Sequence, residues 1–242
     1  MFEKLRYLLL QVRNRDDPMR EQEIGCFTRA LGCSIDQIRV VDLLRGVPTR
    51  RQLSGVDMVL LGGSGDYSVA EGGAWLDTAL EAMRELYDQA KPTFASCWGF
   101  QAMARAMGGE VLTDLSRAEL GVIPVRLTDA GCADPVFGPL APEFEVAIGH
   151  QDLVERLPRD AVCLASSRVV ENQAYRFDGK PIYCTQFHPE LDRKTLVERV
   201  RAYPQYVERI AGVTMEQFCR TCRDTPESAT LLPRFVQHVF GQ

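Results

Sequence analysis

Apolar runs of strand length alternate with longer segments of helical periodicity in the first 110 residues of the chain. The runs are continuously apolar, as in strands of a parallel sheet that is covered on both faces. In the longer segments, apolar residues recur every three or four positions, which is typical of helices packed on a core. The pattern predicts an α/β fold with a mostly parallel central sheet and helices on both faces. The predicted strands are 5–12, 37–44, 57–61 and 92–96, and the predicted helices are 19–31, with Gly32 as its C-cap, and 73–90.

The pattern changes beyond residue 110. From there to about residue 190, short apolar runs are separated by turn sequences such as Phe177-Asp178-Gly179, which predicts an antiparallel strand excursion that returns to the sheet before His188. The remainder has helical periodicity and ends in an apolar stripe that needs a surface to cover. We expect it to pack on the same chain, with a synthase or a second copy as alternatives. The predicted domains are 1–191 and a helical C-terminal extension, 192–242.

The composition fits an ordinary globular protein. Hydrophobic residues make up 45% and charged residues 25% of the 242 positions, which excludes a disordered or fibrous chain. The net charge of -5 offers no basic footprint to nucleic acid or to an anionic membrane, so neither is expected as a partner. No apolar run approaches the ~20 residues that span a bilayer, and the first residues lack a signal-peptide cleavage pattern. We therefore expect a cytoplasmic protein.

Eight cysteines are scattered through the chain, and their spacing does not resemble a small disulfide framework. Only Cys219 and Cys222 form a CxxC pair, and neither a second pair nor a nearby histidine completes a zinc site. No metal is therefore expected. Most of these thiols are predicted to behave as small buried hydrophobic residues.

The segment around Cys97 carries the strongest catalytic signal. The predicted strand ends at Ser96, and Trp98 opens a helical pattern in which Gly99 follows at once. This is the layout of a nucleophile elbow, a sharp turn that exposes a nucleophile at the carboxyl end of the sheet. A helix N-terminus also favours a thiolate and offers N–H groups to a developing oxyanion. A buried structural cysteine is the alternative, and a partner base would decide between them.

Among the three histidines, His188 is the best candidate for that base. It follows an apolar run and precedes Pro189, which keeps it out of the helical region. In extended geometry Glu190 projects to the same side, where its carboxylate can fix the imidazole tautomer and leave the other nitrogen for a thiol. Taken alone, the pair reads as a surface ion pair. Together with Cys97, the pair forms a Cys–His–Glu constellation. His238, by contrast, falls on the polar side of the last predicted helix.

A glycine-rich turn, LGGSGD at 61–66, directly follows a predicted strand. It lacks the lysine of a phosphate-binding P-loop and the spacing of a dinucleotide fingerprint. A turn that supplies one backbone N–H to an oxyanion fits it better, although glycine-rich turns are common.

At these residues the chain resembles the triad, or class I, glutamine amidotransferases, and especially the amidotransferase domain of GMP synthetase. Four blocks match in order between residues 55 and 191: GGSGDYS, CWGFQAMARAMGGEV, GHQDLVERLP and QFHPEL. The resemblance implies that the side-chain amide of L-glutamine is hydrolysed through a thioester and that ammonia passes to an acceptor, with no metal or organic cofactor. It further implies Cys97 as nucleophile, His188 as base and Glu190 as the carboxylate that orients the base.

The resemblance also implies roles around this triad. Gly63 and Trp98 match the positions whose backbone N–H groups form the oxyanion hole, and Gln101 matches a glutamine that helps to hold the substrate. Two departures from the family pattern are Ala95, where glycine is usual, and Ser64, where proline is frequent; neither removes a reacting group. Three further positions match the family: His150, expected to be structural or on the acceptor side, and Glu119 and Gly121, on the strand near the bound glutamine.

Three functions remain open at this point. The first is a glutamine amidotransferase that works with a separate synthase subunit or ammonia acceptor, because no P-loop, adenylation or kinase pattern is found in the sequence. The second is a γ-glutamyl hydrolase or peptidase that uses water alone. The third is a catalytically silent regulatory binding protein, against which the intact triad argues.

Overall fold

The structure, a computed structural model, describes residues 4–241. Its strands and helices alternate through the first half of the chain, as the periodicity predicts. Strands are β1 (Tyr7–Gln11), β2 (Ile38–Asp42), β3 (Met58–Leu61), β4 (Thr93–Ser96), β5 (Glu110–Thr113), β6 (Glu119–Leu127), β7 (Glu143–His150), β8 (Asp152–Arg156), β9 (Ala161–Ser166), β10 (Ala174–Phe177) and β11 (Ile182–Thr185). Helices are α1 (Met19–Leu31), α2 (Arg50–Ser54), α3 (Ala74–Asp88), α4 (Trp98–Ala106), α5 (Asp129–Ala133), α6 (Arg193–Ala202), α7 (Met215–Thr221) and α8 (Leu231–Phe240), with a π-helical turn at Val207–Ala211.

A nine-stranded mixed sheet forms the centre of the fold, in the order β2-β1-β3-β4-β11-β10-β9-β6-β7. The first five strands of this order pair in parallel, and the other four pair antiparallel. Strands β5 and β8 form a separate antiparallel pair. The predicted α/β class, with its parallel core and antiparallel excursion, is therefore confirmed.

The predicted helix at 19–31 and its glycine C-cap are confirmed, since Gly32 has the left-handed φ of 60°. The predicted strand at 37–44 is too long. β2 ends at Asp42, because the carbonyl and side chain of Asp42 accept hydrogen bonds from the N–H groups of Arg45 and Leu44, which turns the chain out of the sheet.

The sheet carries a hydrophobic cluster on each face. Successive side chains of β1 point to opposite faces, so that Leu8 and Leu10 join one cluster while Tyr7 and Leu9 join the other. Helices α3 and α4 cover the first face, and α1 and α8 cover the second. Apolar stripes on these helices are buried as a result, which is the main source of stability for such a layered fold.

The apolar stripe of α8 packs on the core of the same chain. Phe235 is fully buried, and its ring centroid lies 5.7 Å from that of Phe94 and 5.4 Å from that of Tyr183. Among residues 4–241, no helix is long and apolar enough to cross a membrane.

Candidate active site

Cys97 lies at a sharp turn between β4 and α4. Its backbone adopts φ 52° and ψ -104°, a conformation that few non-glycine residues take, and its N–H donates to the carbonyl of Thr185 at 2.8 Å. Small residues make the turn possible. A Cβ on Gly99 would lie 2.4 Å from Cβ of Leu61, so α4 could not approach β3 this closely with any other residue there. The turn is therefore a strained elbow at the carboxyl end of a central strand.

His188 and Glu190 follow β11, the parallel neighbour of β4. Because parallel strands end at the same edge of the sheet, both residues come to the edge that carries Cys97. The N–H of His188 donates to the carbonyl of Ala147 at 2.8 Å, which fixes the turn. Its Nδ1 lies 2.6 Å from Oε1 of Glu190, and both side chains are buried.

Gly63 lies against both Cys97 and His188. A Cβ on Gly63 would be 3.6 Å from Cβ of Cys97 and 2.9 Å from Cε1 of His188. All three residues line one cavity of about 270 Å³. The structure therefore brings the predicted nucleophile, base and glycine turn together.

Opposite charges dominate the electrostatics of this buried group. Burial alone would lower the pKa of His188, but the charges of Glu190 and Cys97, with hydrogen bonds to both, raise it to about 9. Burial would raise the pKa of Glu190, yet the charge and hydrogen bond of His188 and the charge of Arg199 hold it below its usual value. Glu190 is therefore an ionised acceptor, and Nδ1 of His188 is the donor, which leaves Nε2 for the thiol.

Arg199 is a part of the site that sequence reasoning missed. Its guanidinium reaches from α6 to within 3.7 Å of Oε1 of Glu190 and 3.4 Å of Nδ1 of His188, and its Nε donates to Oε1 of Gln22. The side chain is 10% exposed. No motif distinguishes it from the other arginines of α6, so only the fold identifies it.

The two predicted oxyanion donors differ in their partners. The N–H of Gly63 donates to Oε1 of the buried Glu23 at 3.2 Å, whereas within residues 4–241 no acceptor engages the N–H of Trp98. The indole of Trp98 is buried beside Trp75, with ring centroids 6.0 Å apart, and closes that wall of the cavity.

Gln101 lines the same cavity from the second turn of α4. Its Nε2 donates to the carbonyl of Asp152 at 2.8 Å and to Oε1 of Gln186 at 3.2 Å. Both contacts fix the orientation of the amide, so that the residue is held in place before any ligand binds.

The buried His150 pairs with the partly buried Glu119 next to the site. Nε2 of His150 lies 3.1 Å from Oε2 of Glu119, which also accepts a hydrogen bond from Gln173. His150 lines the cavity, whereas Glu119 and Gly121 are not among its lining residues. Gly121 has φ 120° within β6, and a Cβ on it would lie 3.5 Å from the ring of Phe218. The pair therefore fits a structural role for His150.

Two connecting segments and the chain after α6 contribute to the lining of the cavity. The two segments are the loop 63–68 and the turn from β7 to β8 at 149–152, and Tyr203, Tyr206, Arg209 and Ile210 also line the cavity. Tyr206 donates to the carbonyl of Gly65, which ties the two sides together. Within the described part of the chain, no group of three or more potential ligands is arranged to hold a metal ion.

The family model described as glutamine amidotransferase class-I matches residues 28–200. A solved structure with a similar fold is a glutamine amidotransferase from Thermotoga maritima, with a TM-score of 0.76 and 22% identity over 97% of both chains. At that identity the likeness concerns the fold alone.

Two curated relatives carry the name GMP synthase. The glutamine-hydrolyzing GMP synthase of Streptomyces avermitilis is 31% identical over 156 residues, covering 64% of this chain and 28% of that protein. A glutamine-hydrolyzing GMP synthase subunit from Methanothermobacter thermautotrophicus is 36% identical over 100 residues, covering 41% of this chain and 52% of that protein. The chain thus matches about half or less of the length of these relatives.

Proposed function

Because the chain belongs to the class-I glutamine amidotransferase family, we propose that it hydrolyses the side-chain amide of L-glutamine through a Cys97 thioester and delivers ammonia to an acceptor. One observation carries the proposal: Cys97 sits at a strained elbow on the same cavity as His188, whose Nδ1 is 2.6 Å from a buried carboxylate. A structural cysteine has no need of that arrangement.

The first half-reaction forms the thioester. The Cys97 sulfur attacks the amide carbon of glutamine, and the oxyanion that develops is received by the free N–H of Trp98 at the start of α4. His188 is poised to give its proton to the departing nitrogen, which leaves as ammonia. Glu190 keeps the imidazole oriented and stabilises its positive charge.

The second half-reaction releases glutamate. His188, now neutral, takes a proton from a water molecule as that water attacks the thioester carbon. The carbon–sulfur bond breaks, the thiolate of Cys97 is restored, and the imidazole is again protonated. Burial of the triad supports this exchange, because an imidazolium paired with a carboxylate and a thiolate is stabilised where water is scarce.

The charges around the cavity fit an amino-acid substrate. Of the three arginines that line it, Arg13 and Arg199 form ion pairs with buried carboxylates. Arg209, by contrast, forms no ion pair among residues 4–241. A free guanidinium at the cavity wall suits the α-carboxylate of glutamine. Gln101, fixed from α4, is the second residue proposed to hold the substrate.

The acceptor is proposed to belong to a separate synthase. The names of the two relatives include GMP synthase, and the relative from Methanothermobacter thermautotrophicus is named as one subunit of that enzyme. A γ-glutamyl hydrolase that needs no partner is the second candidate, because the cavity is lined by an unpaired arginine that suits any γ-glutamyl compound with a free α-carboxylate.

Labelling with an electrophilic diazoketone analogue of L-glutamine tests the proposal directly. Wild type should gain one covalent adduct at Cys97 by mass spectrometry, and Cys97→Ala should fold normally and lose both labelling and glutamine turnover. Cys184, a buried thiol in β11, is the matched control, since Cys184→Ala should still be labelled. Turnover that survives in Cys97→Ala would refute the mechanism.

Ammonia release distinguishes the two candidate functions. Slow hydrolysis of glutamine that accelerates with a purified GMP synthase subunit, one with no glutaminase activity of its own, supports the amidotransferase. Rapid turnover of γ-glutamyl amides without any partner supports the hydrolase. For His188→Ala, turnover should fall by several orders of magnitude, and a loss of less than about tenfold would exclude His188 as the base.

A further inference from the structure

Glu23, in the first half of α1, holds a fully buried carboxylate with four hydrogen-bond donors. Its Oε1 accepts from Nη2 of Arg13 at 3.0 Å and from the N–H of Gly63 at 3.2 Å. Its Oε2 accepts from Nε2 of Gln11 at 3.0 Å and from Nε of Arg13 at 3.3 Å. Glu23 is 0% and Arg13 is 2% exposed, and neither lies in the range that the family model matches.

The carboxylate of Glu23 lies directly against the glycine turn. A Cβ on Gly62 would be 2.2 Å from Oε1 of Glu23, so only glycine allows this approach. The carbonyl of Gly62 accepts the N–H of Gly99 in α4, and a Cβ on Gly63 would lie 3.6 Å from Cβ of Cys97 and 2.9 Å from Cε1 of His188. The Gly62–Gly63 peptide, which Glu23 contacts, therefore lies next to both Cys97 and His188.

Arg13 extends the same contact to the other end of the turn. Its Nη1 donates to Asp17 and to the hydroxyl of Tyr203, each at 3.1 Å. The ring of Tyr203 lies so close to Gly65 that a Cβ there would be 2.3 Å from it. The buried guanidinium of Arg13 thus links the carboxylate of Glu23, which contacts Gly63, to the ring of Tyr203, which lies next to Gly65.

Stability alone does not account for this arrangement. Burying an ion pair has a desolvation cost that usually offsets its Coulombic gain, and well-packed apolar side chains can replace it without loss. What apolar side chains cannot do is accept a backbone N–H and fix the orientation of a mobile glycine peptide.

We propose that Glu23, held by Arg13, is a positioning residue that fixes the Gly62–Gly63 peptide against Cys97 and His188. The inference rests on the proposed thioester chemistry. Because the N–H of Gly63 is engaged by Glu23, the turn contributes to the site through its position, and Trp98 carries the oxyanion donor.

Two variants of Glu23 separate its two contacts. Glu23→Gln keeps an acceptor for the N–H of Gly63 but removes the charge that faces Arg13. Glu23→Asp keeps the charge but withdraws the carboxylate from Gly63 by about one carbon–carbon bond, ~1.5 Å. If positioning of the turn is what matters, Glu23→Asp is the more harmful variant, even where Glu23→Gln is the less stable of the two.

The readout is the labelling of Cys97 by the diazoketone analogue of glutamine, measured over a range of reagent concentrations. We expect Glu23→Asp to lower the maximal labelling rate by about tenfold or more with little change in the half-saturating concentration, and Glu23→Gln to stay within about threefold of wild type. Rates for Glu23→Asp within about twofold of wild type would overturn the proposal.

A matched control is Asp134→Asn, which removes the charge of another buried carboxylate with an arginine partner, Arg176, outside the cavity. It should lower the thermal stability without altering the labelling rate; labelling losses that follow stability equally in all variants would overturn the proposal.

If both Glu23 variants fold poorly, Arg13→Lys retains the charge with fewer donors and should slow labelling by about threefold or more, and an unchanged rate would count against the proposal. Failure of wild type to label at all would instead refute the proposed function.

Discussion

Arg199 places its guanidinium 3.7 Å from Oε1 of Glu190, the same oxygen that lies 2.6 Å from Nδ1 of His188. Both Glu190 and His188 are buried. Burial would raise the pKa of Glu190, but the charge and hydrogen bond of His188, and to a smaller extent the charge of Arg199, hold this pKa below its usual value. Arg199 therefore acts on His188, the proposed base, through the carboxylate of Glu190.

Replacing Arg199 by methionine should weaken both stability and reaction. Breaking a buried ion pair by removing one partner typically costs about 3–5 kcal/mol, so urea unfolding should shift by an amount of that order. Cys97 labelling should slow by about tenfold, and Arg199→Lys should recover part of the loss. A methionine variant that unfolds earlier but labels at the wild-type rate would limit Arg199 to a structural role.

Backbone strain at Cys97 predicts an unusual order of stabilities. Any side chain at φ 52° and ψ -104° is strained by about 1–3 kcal/mol, whereas glycine takes positive φ freely. We therefore expect Cys97→Gly to unfold at a higher temperature than Cys97→Ala. The comparison requires only thermal denaturation of the two variants, and an equal or reversed order would mean that the elbow is unstrained.

The raised pKa of His188 predicts how stability depends on pH. Burial lowers this pKa, but the charges of Glu190 and Cys97 and hydrogen bonds to both raise it from 6.5 to about 9. A group whose pKa is higher in the folded state stabilises that state. Its contribution is complete at pH values below the unfolded pKa and is lost as the pH rises through the folded pKa. The stability advantage of wild type over His188→Asn should therefore be largest below pH 6.5 and decline towards pH 9.

Urea unfolding at intervals across that pH range measures this advantage, and an advantage that grows with pH would contradict the assignment. Removing the thiol gives a second check. Because the charge and hydrogen bond of Cys97 contribute to the raised pKa, His188 should titrate at lower pH in Cys97→Ala than in wild type, as followed by NMR of the imidazole ring.

Gly99 should be intolerant of even one methyl group. A Cβ there would lie 2.4 Å from Cβ of Leu61 and 3.2 Å from Cβ of Ala95, both on strands that support the elbow. Overpacking of this kind costs about 1–3 kcal/mol, and here it also pushes α4 away from Cys97. Gly99→Ala should lose thermal stability and label slowly. Gly25, with open space around its Cβ position, provides the control, since Gly25→Ala in α1 should do neither.

Arg209 predicts a preference for substrates with an α-carboxylate. Wild type should hydrolyse or bind L-glutamine far better than 4-aminobutanamide, which lacks that group, and Arg209→Ala should raise KM for glutamine by about tenfold while leaving the poor substrate unaffected. Arg168, which lies outside the cavity, is the matched control. Equal loss with both substrates would remove Arg209 as the carboxylate partner.

The parts of the structure that the sequence predicts are those encoded by local patterns. The helix at Met19–Leu31 has a periodic core face and a glycine that takes the left-handed conformation directly after it. The elbow at Cys97 and the pair of His188 and Glu190 are each contained within a few consecutive residues. Strand order at one sheet edge then brings these two patterns to one cavity.

The parts that the sequence did not predict depend on contacts between distant segments. Glu23 is 40 residues from Gly63 along the chain, and nothing near it in sequence signals a backbone partner. Arg199 is one of several arginines on a helix with ordinary periodicity. The resemblance implied Gly63 as an oxyanion donor, but it could not foresee a carboxylate that occupies the same N–H.

Strand β1 lies between β2 and β3 in the parallel part of the sheet, and α8 covers the opposite face at Phe94 and Tyr183. The family match starts at residue 28, after β1, and stops at residue 200, before α8. A fragment trimmed to residues 28–200 would lose β1, which joins β2 to the rest of the sheet, and would also lose the buried ring of Phe235 in α8. Trimming this chain to residues 28–200 should therefore unfold the whole molecule.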